Sequence, residues 1–502
     1  MHIVSYKNYR YLIICLSCFF LAALFLSLSF VSESKILPYF LTCILFFILF
    51  VPIYIAISKG KFDLFHPLVF TSLAYFFPYY VIKSLGVLFL DIRSSFSTIL
   101  YDNYYLSLSI LYVIVAYVSL AVGFYLKIGL RLSRKMPSLE KRKSLSIDVN
   151  RLILPIFISY LFGIFLSWWL EKAGAGGPYV IHQAYLFTLI AKVSKFCLFL
   201  GWFGFFQNNV SRKRWLPYIF IMTVIEIGLG LTSGSRLFLV WDALICFGAY
   251  QYSRWQTAKL REYIIGFSLI IMFLIVGFIF STTFRSIKFT EFGRFGACNL
   301  RDRVYTFKST VDSISRLSLS EKVEFLKNTI FNRMSSLDTL GLILAHYKDL
   351  KTMEKAFGIN DNLFPHIFWS FVPRFVYPNK PILMDFSRYF GYIYNETPLE
   401  GYSYAAVTAI GDLYRNGGIG AVIIGMLVLG IMLRVLYAWL MERDRSPTAA
   451  NALLFLFIVM GLRITYEGCY ASFLAVSIRH MVIIFAFLFL LSRFGRKKML
   501  KG

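Results

Sequence analysis

Apolar runs of about twenty residues recur along this chain, each long enough to cross about 30 Å of hydrocarbon as a helix. No other feature constrains the fold as tightly. In hydrocarbon every backbone N–H and C=O has to be satisfied within the protein, and a helix does this inside one segment. The runs fall near 11–31, 36–58, 67–90, 105–126, 152–170, 187–207, 215–233, 237–251, 263–282, 417–440, 449–466 and 475–492. Composition agrees: 58% of residues are hydrophobic and the mean hydropathy is +0.67, above the roughly 45–50% apolar share of a soluble domain. The expectation is an all-α polytopic membrane protein of about twelve transmembrane helices. Its first run, Tyr11 to Val31, is too long for a signal-peptide core and is expected to be an uncleaved anchor. The run 67–90 contains Pro78 and Lys83 but is kept as a full span. Were it re-entrant, every earlier loop would change sides and the charge pattern would break.

That pattern accounts for a formal charge of +26, which on a soluble chain would suggest nucleic acid. The cations gather in alternate short loops, for example Lys127 to Lys143, Arg212 to Arg214, Arg254 to Arg261 and Arg493 to Lys498. The loops between carry little beyond Lys35, Arg93 and Lys172. This is the positive-inside distribution of a multi-pass protein, so the charge reads as topology with contact to anionic membrane lipid, and both termini are placed in the cytoplasm. No nucleic-acid partner is implied. The cysteines and histidines show no metal spacing, and no metal or cofactor is expected.

One region lacks any run that could span a bilayer. The division is therefore an N-terminal transmembrane bundle over 1–281, a large loop over 282–416, and C-terminal transmembrane helices with a basic tail over 417–502. Within the loop, Ser318 and Glu321 have capping-box spacing. The apolar residues from Val323 to Leu340 then recur at helical period, which predicts one amphipathic helix lying on the bundle or the membrane interface. The loop also carries a proline-stiffened strap, "FWSFVPRFVYPNKPIL" at 368–383, with Arg374 and Lys380 among aromatic rings.

Several residues have the chemistry of a site. Gly234, Ser235 and Arg236 form a small-residue turn suited to an anionic group; the plainer reading of Arg236 is a snorkelling interfacial cation. The loop adds Arg285, Arg333, Arg374, Lys380 and Arg388, each of which also reads as a solvated charge. Glu396 and Glu400 lie in a turn, with Asp412, Tyr414 and Arg415 at the entry of the next span and His366 before the strap. Carboxylates beside arginines suit acid–base chemistry near a phosphate leaving group, or simple loop salt bridges. Lys192, Lys195, Glu226 and Asp242 fall within spans, where ionisable groups are costly and are expected to pair. Arg463 and Glu467 stand four apart near His480, which reads as a packing residue.

Four stretches resemble the Wzy-type O-antigen or oligosaccharide repeat-unit polymerases of bacterial surface glycans: "LTSGSR" at 231–236, "FNRMSSLDTL" at 331–340, "SFVPRFVYPNKP" at 370–381 and "AIGDLYRNGGIGAVIIGMLVLG" at 409–430. The resemblance implies a GT-C-like, metal-independent membrane glycosyltransferase without cofactor, in the inner membrane, with the large loop periplasmic. Its donor would be a growing glycan on undecaprenyl diphosphate and its acceptor the next lipid-linked repeat, with a chain-length regulator as a further partner. The matching positions are Arg236, Arg333, Arg374, Lys380, Asp412, Tyr414 and Arg415. The chain departs from the family in its short outer loop at 171–186. On this reading Arg236, Arg285 and Arg374 clamp the diphosphate, supported by Lys380 and Arg415, and the base is Glu400, Glu396, Asp412 or His366. An O-antigen ligase, or a flippase of lipid-linked sugar, is the alternative.

Overall fold

The computed structural model describes residues 32–58, 62–90, 99–137, 147–172, 190–232, 236–255, 260–293, 300–356, 368–369, 372, 377, 379, 407–443 and 447–499. Among these residues every regular element is helical. In chain order the helices are α1 (Ile36–Ser58), α2 (Pro67–Leu90), α3 (Asn103–Tyr125), α4 (Lys127–Lys135), α5 (Ile153–Lys172), α6 (Val193–Gln207), α7 (Asn209–Thr232) and α8 (Arg236–Ser253). They continue with α9 (Leu260–Phe292), α10 (Leu300–Arg316), α11 (Leu319–Arg333), α12 (Ser336–Ala345), α13 (Tyr347–Ala356), α14 (Ala409–Glu442), α15 (Ala449–Glu467) and α16 (Ser472–Met499).

Each expected span from 36–58 onward falls on one of these helices; the expected anchor at 11–31 lies outside the described residues. Among the described residues, six helical segments are long and apolar enough to cross a membrane, five of them in α1, α2, α3, α5 and α7 and the sixth being α14. The run 67–90 is one continuous segment, but its middle turns, Ser72–Ile82, are wound as π-helix around Pro78. Proline has no N–H to give and its ring crowds the preceding turn; a wider winding keeps the segment continuous past it.

One expectation is corrected. The amphipathic helix expected from the Ser318 cap through Leu340 is two helices, α11 and α12, separated at Met334 and Ser335. Its beginning is as expected, because the Glu321 carboxylate accepts from the Ser318 N–H and hydroxyl, both at 2.7 Å. The α12 part does not lie on a surface: from Ser336 through Leu344 every residue is buried. The apolar period of the sequence ran across the break and hid it.

The described residues group into two compact units. The first takes the described residues within Met1–Met136, Ile330–Trp439 and Ile458–Ile478, the second those within Pro137–Thr329, Leu440–Phe457 and Arg479–Gly502. In the first, the most extensive packing is α3 against α14. It is close because glycines meet backbone in both directions: a Cβ on Gly123 would fall on the Leu427 carbonyl, and one on Gly430 on the Leu120 carbonyl. Small residues at such crossings let helix backbones approach where no hydrophobic force drives them together. In the second unit α6 is central, packing against α5, α7 and α8.

Candidate functional site

The first unit carries two buried polar networks. One is built at the start of α14. Thr408 precedes the helix with φ +67°, a conformation uncommon outside glycine, and its hydroxyl accepts from the Gly411 N–H at 3.0 Å. That cap satisfies one of the orphan amides of the first turn and fixes how Asp412 enters the interior. The Asp412 Oδ1 accepts from Arg415 Nη2 at 3.1 Å and Asn416 Nδ2 at 3.2 Å, and its Oδ2 from the Tyr470 N–H at 2.9 Å. Arg415 Nη1 donates to Glu354 Oε1 of α13 at 3.0 Å, and the Arg415 side chain is 4% exposed. Tyr414 points elsewhere, edge-on to the rings of Tyr112 and Tyr347 at 5.1 and 5.0 Å.

The second network joins α2, α12 and the end of α15. Lys83 Nζ lies 2.9 Å from Asp338 Oδ2 with side chains 1% and 2% exposed, and also reaches the Phe331 carbonyl at 3.4 Å. Beside it Tyr75 donates to the Tyr466 carbonyl and lies near the Ser336 hydroxyl, Tyr79 donates to Glu467, and Thr71 meets the Tyr466 hydroxyl at 3.0 Å. The π-wound turns of α2 supply Tyr75 and Tyr79, in keeping with the frequent placement of such turns at functional sites. Helix α12 joins the two networks: its N-terminal end carries Ser336 and Asp338, while Ile343 packs on Gly411 and, with Leu350 and Val407, on the apolar side of Tyr414.

Asp412, Tyr414 and Arg415 are thus brought together, and Glu354, which the sequence did not single out, belongs with them. Three N–H donors occupy the Asp412 carboxylate and each Arg415 Nη holds an acidic partner, so the pair as placed anchors the entry of α14. Arg285, on α9 of the second unit, stacks over Phe289 at 4.9 Å. Arg236 opens α8 and Arg333 closes α11. Glu396, Glu400, His366, Arg374, Lys380 and Arg388 lie outside the described residues. Of the strap, residues 368, 369, 372, 377 and 379 are described, and among them the Trp369 and Tyr377 rings stack at 5.2 Å.

The buried ionisable residues of the second unit pair as expected. Lys195 bridges Glu226 and Asp242, and Lys192 Nζ lies 3.2 Å from His480 Nε2. His480 is buried, with Lys192 Nζ at its Nε2. Among the described residues no group of His, Cys, Asp and Glu is arranged to hold a metal ion. Lys83 and Asp338 are the pair that sequence reasoning missed, although the signal was present: a lysine inside an apolar run requires a partner, and Asp338 stands in the quoted stretch 331–340.

No family model matches the chain, and no curated protein and no solved structure matches it.

Proposed function

We propose that the chain polymerises undecaprenyl-diphosphate-linked oligosaccharide repeat units at the outer face of the bacterial inner membrane, transferring the growing glycan onto the next lipid-linked repeat. One observation carries the reading. Two of the four stretches with polymerase resemblance are remote in sequence yet meet in the first unit: α12, which begins within 331–340, packs on the start of α14, which opens 409–430. Both hold buried charges in ion pairs, an arrangement with a cost that packing alone does not require.

In this reading Arg236, Arg285 and Arg374 stabilise the leaving lipid diphosphate with support from Lys380, Arg333 is a further substrate-binding cation, and these charges do the work of a divalent metal. Asp412 and Arg415 are positioning residues that hold the start of α14. The acceptor proton goes to Glu400, Glu396 or His366, a contribution of about 10²–10⁴-fold. The aromatic strap, with Trp369 on Tyr377, offers ring faces for sugars.

The test is a deletion strain and its surface lipopolysaccharide on a gel. Core bearing a single repeat supports the polymerase; bare core with accumulated lipid-linked polymer identifies a ligase; bare core without outward-facing lipid-linked repeats identifies a flippase. Complementation with Arg236→Ala or Arg374→Ala should shorten the chains, since loss of one charge-stabilising donor costs about 10²–10³ in rate. Normal chain length in both variants would refute the clamp.

A further inference from the structure

The second unit carries a pocket of about 480 Å³ for which the proposed glycosyl transfer has no use, lined by Trp202, Phe206, Thr223, Glu226, Asp242 and Phe247 among others. Its size falls within the roughly 300–1,000 Å³ of small-molecule sites. Behind its wall Lys195 Nζ donates to Glu226 Oε2 at 2.7 Å and to Asp242 Oδ1 at 2.5 Å, and lies 3.6 Å from the centre of the Phe238 ring. One ammonium therefore faces two carboxylates, and their second oxygens are left over. Asp242 Oδ2 is buried with no hydrogen-bond partner, and so is Thr223 Oγ1, one turn before Glu226 on α7; Glu226 Oε1 also lacks a well-aligned donor, the nearby Tyr160 hydroxyl donating to the Met222 carbonyl at 3.1 Å. Glu226 is 2% exposed. Buried polar atoms in native proteins are nearly always paired, and an unpaired one carries its full desolvation cost.

We propose that this cavity binds a primary-amine amphiphile. A –NH₃⁺ group has three N–H donors and no acceptor, which suits a wall whose residues carry buried acceptor oxygens without a donor. The rest of the wall is aromatic and aliphatic; Trp202, Phe206 and Phe247 receive an apolar body. Glu262 on α9 adds a third carboxylate to the lining, so an anionic ligand such as a lipid diphosphate is repelled. The site is thereby separate in chemistry from the glycan site proposed above, and neither rests on the other.

The experiment uses the full-length protein in nanodiscs of phosphatidylcholine and phosphatidylglycerol, titrated calorimetrically with 4-phenylbutylamine and with 4-phenylbutanol. The amine should bind saturably at one site, with the alcohol at least tenfold weaker. Glu226→Gln should weaken amine binding at least tenfold. Ala243→Leu, which fills the cavity and leaves every charge in place, should abolish it, with melting temperature and monodispersity reporting that each variant folds. Equal binding of amine and alcohol, absence of saturable binding, or full affinity in a folded Glu226→Gln variant would overturn the proposal. Phosphatidylethanolamine added to the nanodiscs separates the sources of the amine: competition with the probe assigns the site to a membrane aminolipid, and unchanged affinity assigns it to a free amine.

Discussion

Replacing Lys83 by methionine should be among the most damaging single changes in the first unit. The lysine and Asp338 are 2.9 Å apart with side chains 1% and 2% exposed, so removing the cation takes the counter-charge from a carboxylate that stays buried. Breaking such a pair from one side costs about 3–5 kcal/mol. At roughly 2–4 °C per kcal/mol for a unit of this size, the melting temperature should fall by about 6–20 °C. Lys83→Met also withdraws a donor from the Phe331 carbonyl, at the end of α11 whose Phe331 ring occupies the space beside Gly86. The companion is Lys83→Met with Asp338→Leu. With both charges gone the desolvation cost goes too, and pairs replaced by apolar groups of similar volume are often neutral or better. The double variant should therefore melt well above either single one. Thermal unfolding of the four proteins in one detergent, followed by circular dichroism, closes the cycle. A Lys83→Met variant within about 1 kcal/mol of the parent, or a double variant no better than the worse single one, would show that the pair is not the closed ionic contact described.

Arg415→Met should cost about 3–5 kcal/mol, because it takes the buried counter-charge from both Asp412 and Glu354 while Asp412 keeps its Asn416 and Tyr470 donors; the same melting assay checks it. Gly418→Ala separates strain from crowding. Gly418 has φ +63° and ψ −155° inside α14, with nothing near a built Cβ, so the whole loss of about 1–3 kcal/mol should be backbone strain. The neighbouring Gly417, at φ −164°, carries no such strain, but a Cβ there would stand 2.9 Å from the Ala421 Cβ, so its alanine variant should lose stability through crowding instead. At the start of α11, hydrogen bonds from Ser318 hold the Glu321 carboxyl below its ordinary range. A lowered folded value means the cap is fully formed above the unfolded value near 4.3 and is lost as pH falls through the folded one. Amide exchange in the first turn of α11 should accelerate across that acid range in the parent and show no such step in Glu321→Gln.

The helices were legible because hydrocarbon leaves a long apolar run few alternatives, and the capping box because two side chains four residues deep suffice to write it. What escaped was whatever depends on distant partners. The period from Val323 to Leu340 continues across Met334 and Ser335, so a single stripe concealed a helix break and a change from exposed to enclosed surroundings. Lys83 announced a need for a counter-charge, but nothing local pointed to Asp338. Glu354 in "YKDLKTMEKA" looks like an ordinary solvated face, and only the packing of α13 near α14 gives it Arg415. The pairing among Lys195, Glu226 and Asp242 was expected from the insertion cost of charges, while the surplus of oxygens over donors is visible only in three dimensions.

The Lys83–Asp338 contact also has a history in time. Lys83 and the Phe331 carbonyl that it reaches are 248 residues apart, and Asp338 follows later still. At roughly 5–20 residues per second of synthesis, the lysine waits on the order of 10–50 s for its counter-ion. During that interval most of the second unit is being made and α2 is already a candidate to partition into lipid with a bare ammonium near its end. Membrane entry of α2 thus precedes the interaction that makes its sequence tolerable. The translocation machinery, anionic headgroups or a shallow position at the interface must shelter the charge, and nascent chains arrested between α2 and α12 are where a quality-control protease would find this protein most vulnerable.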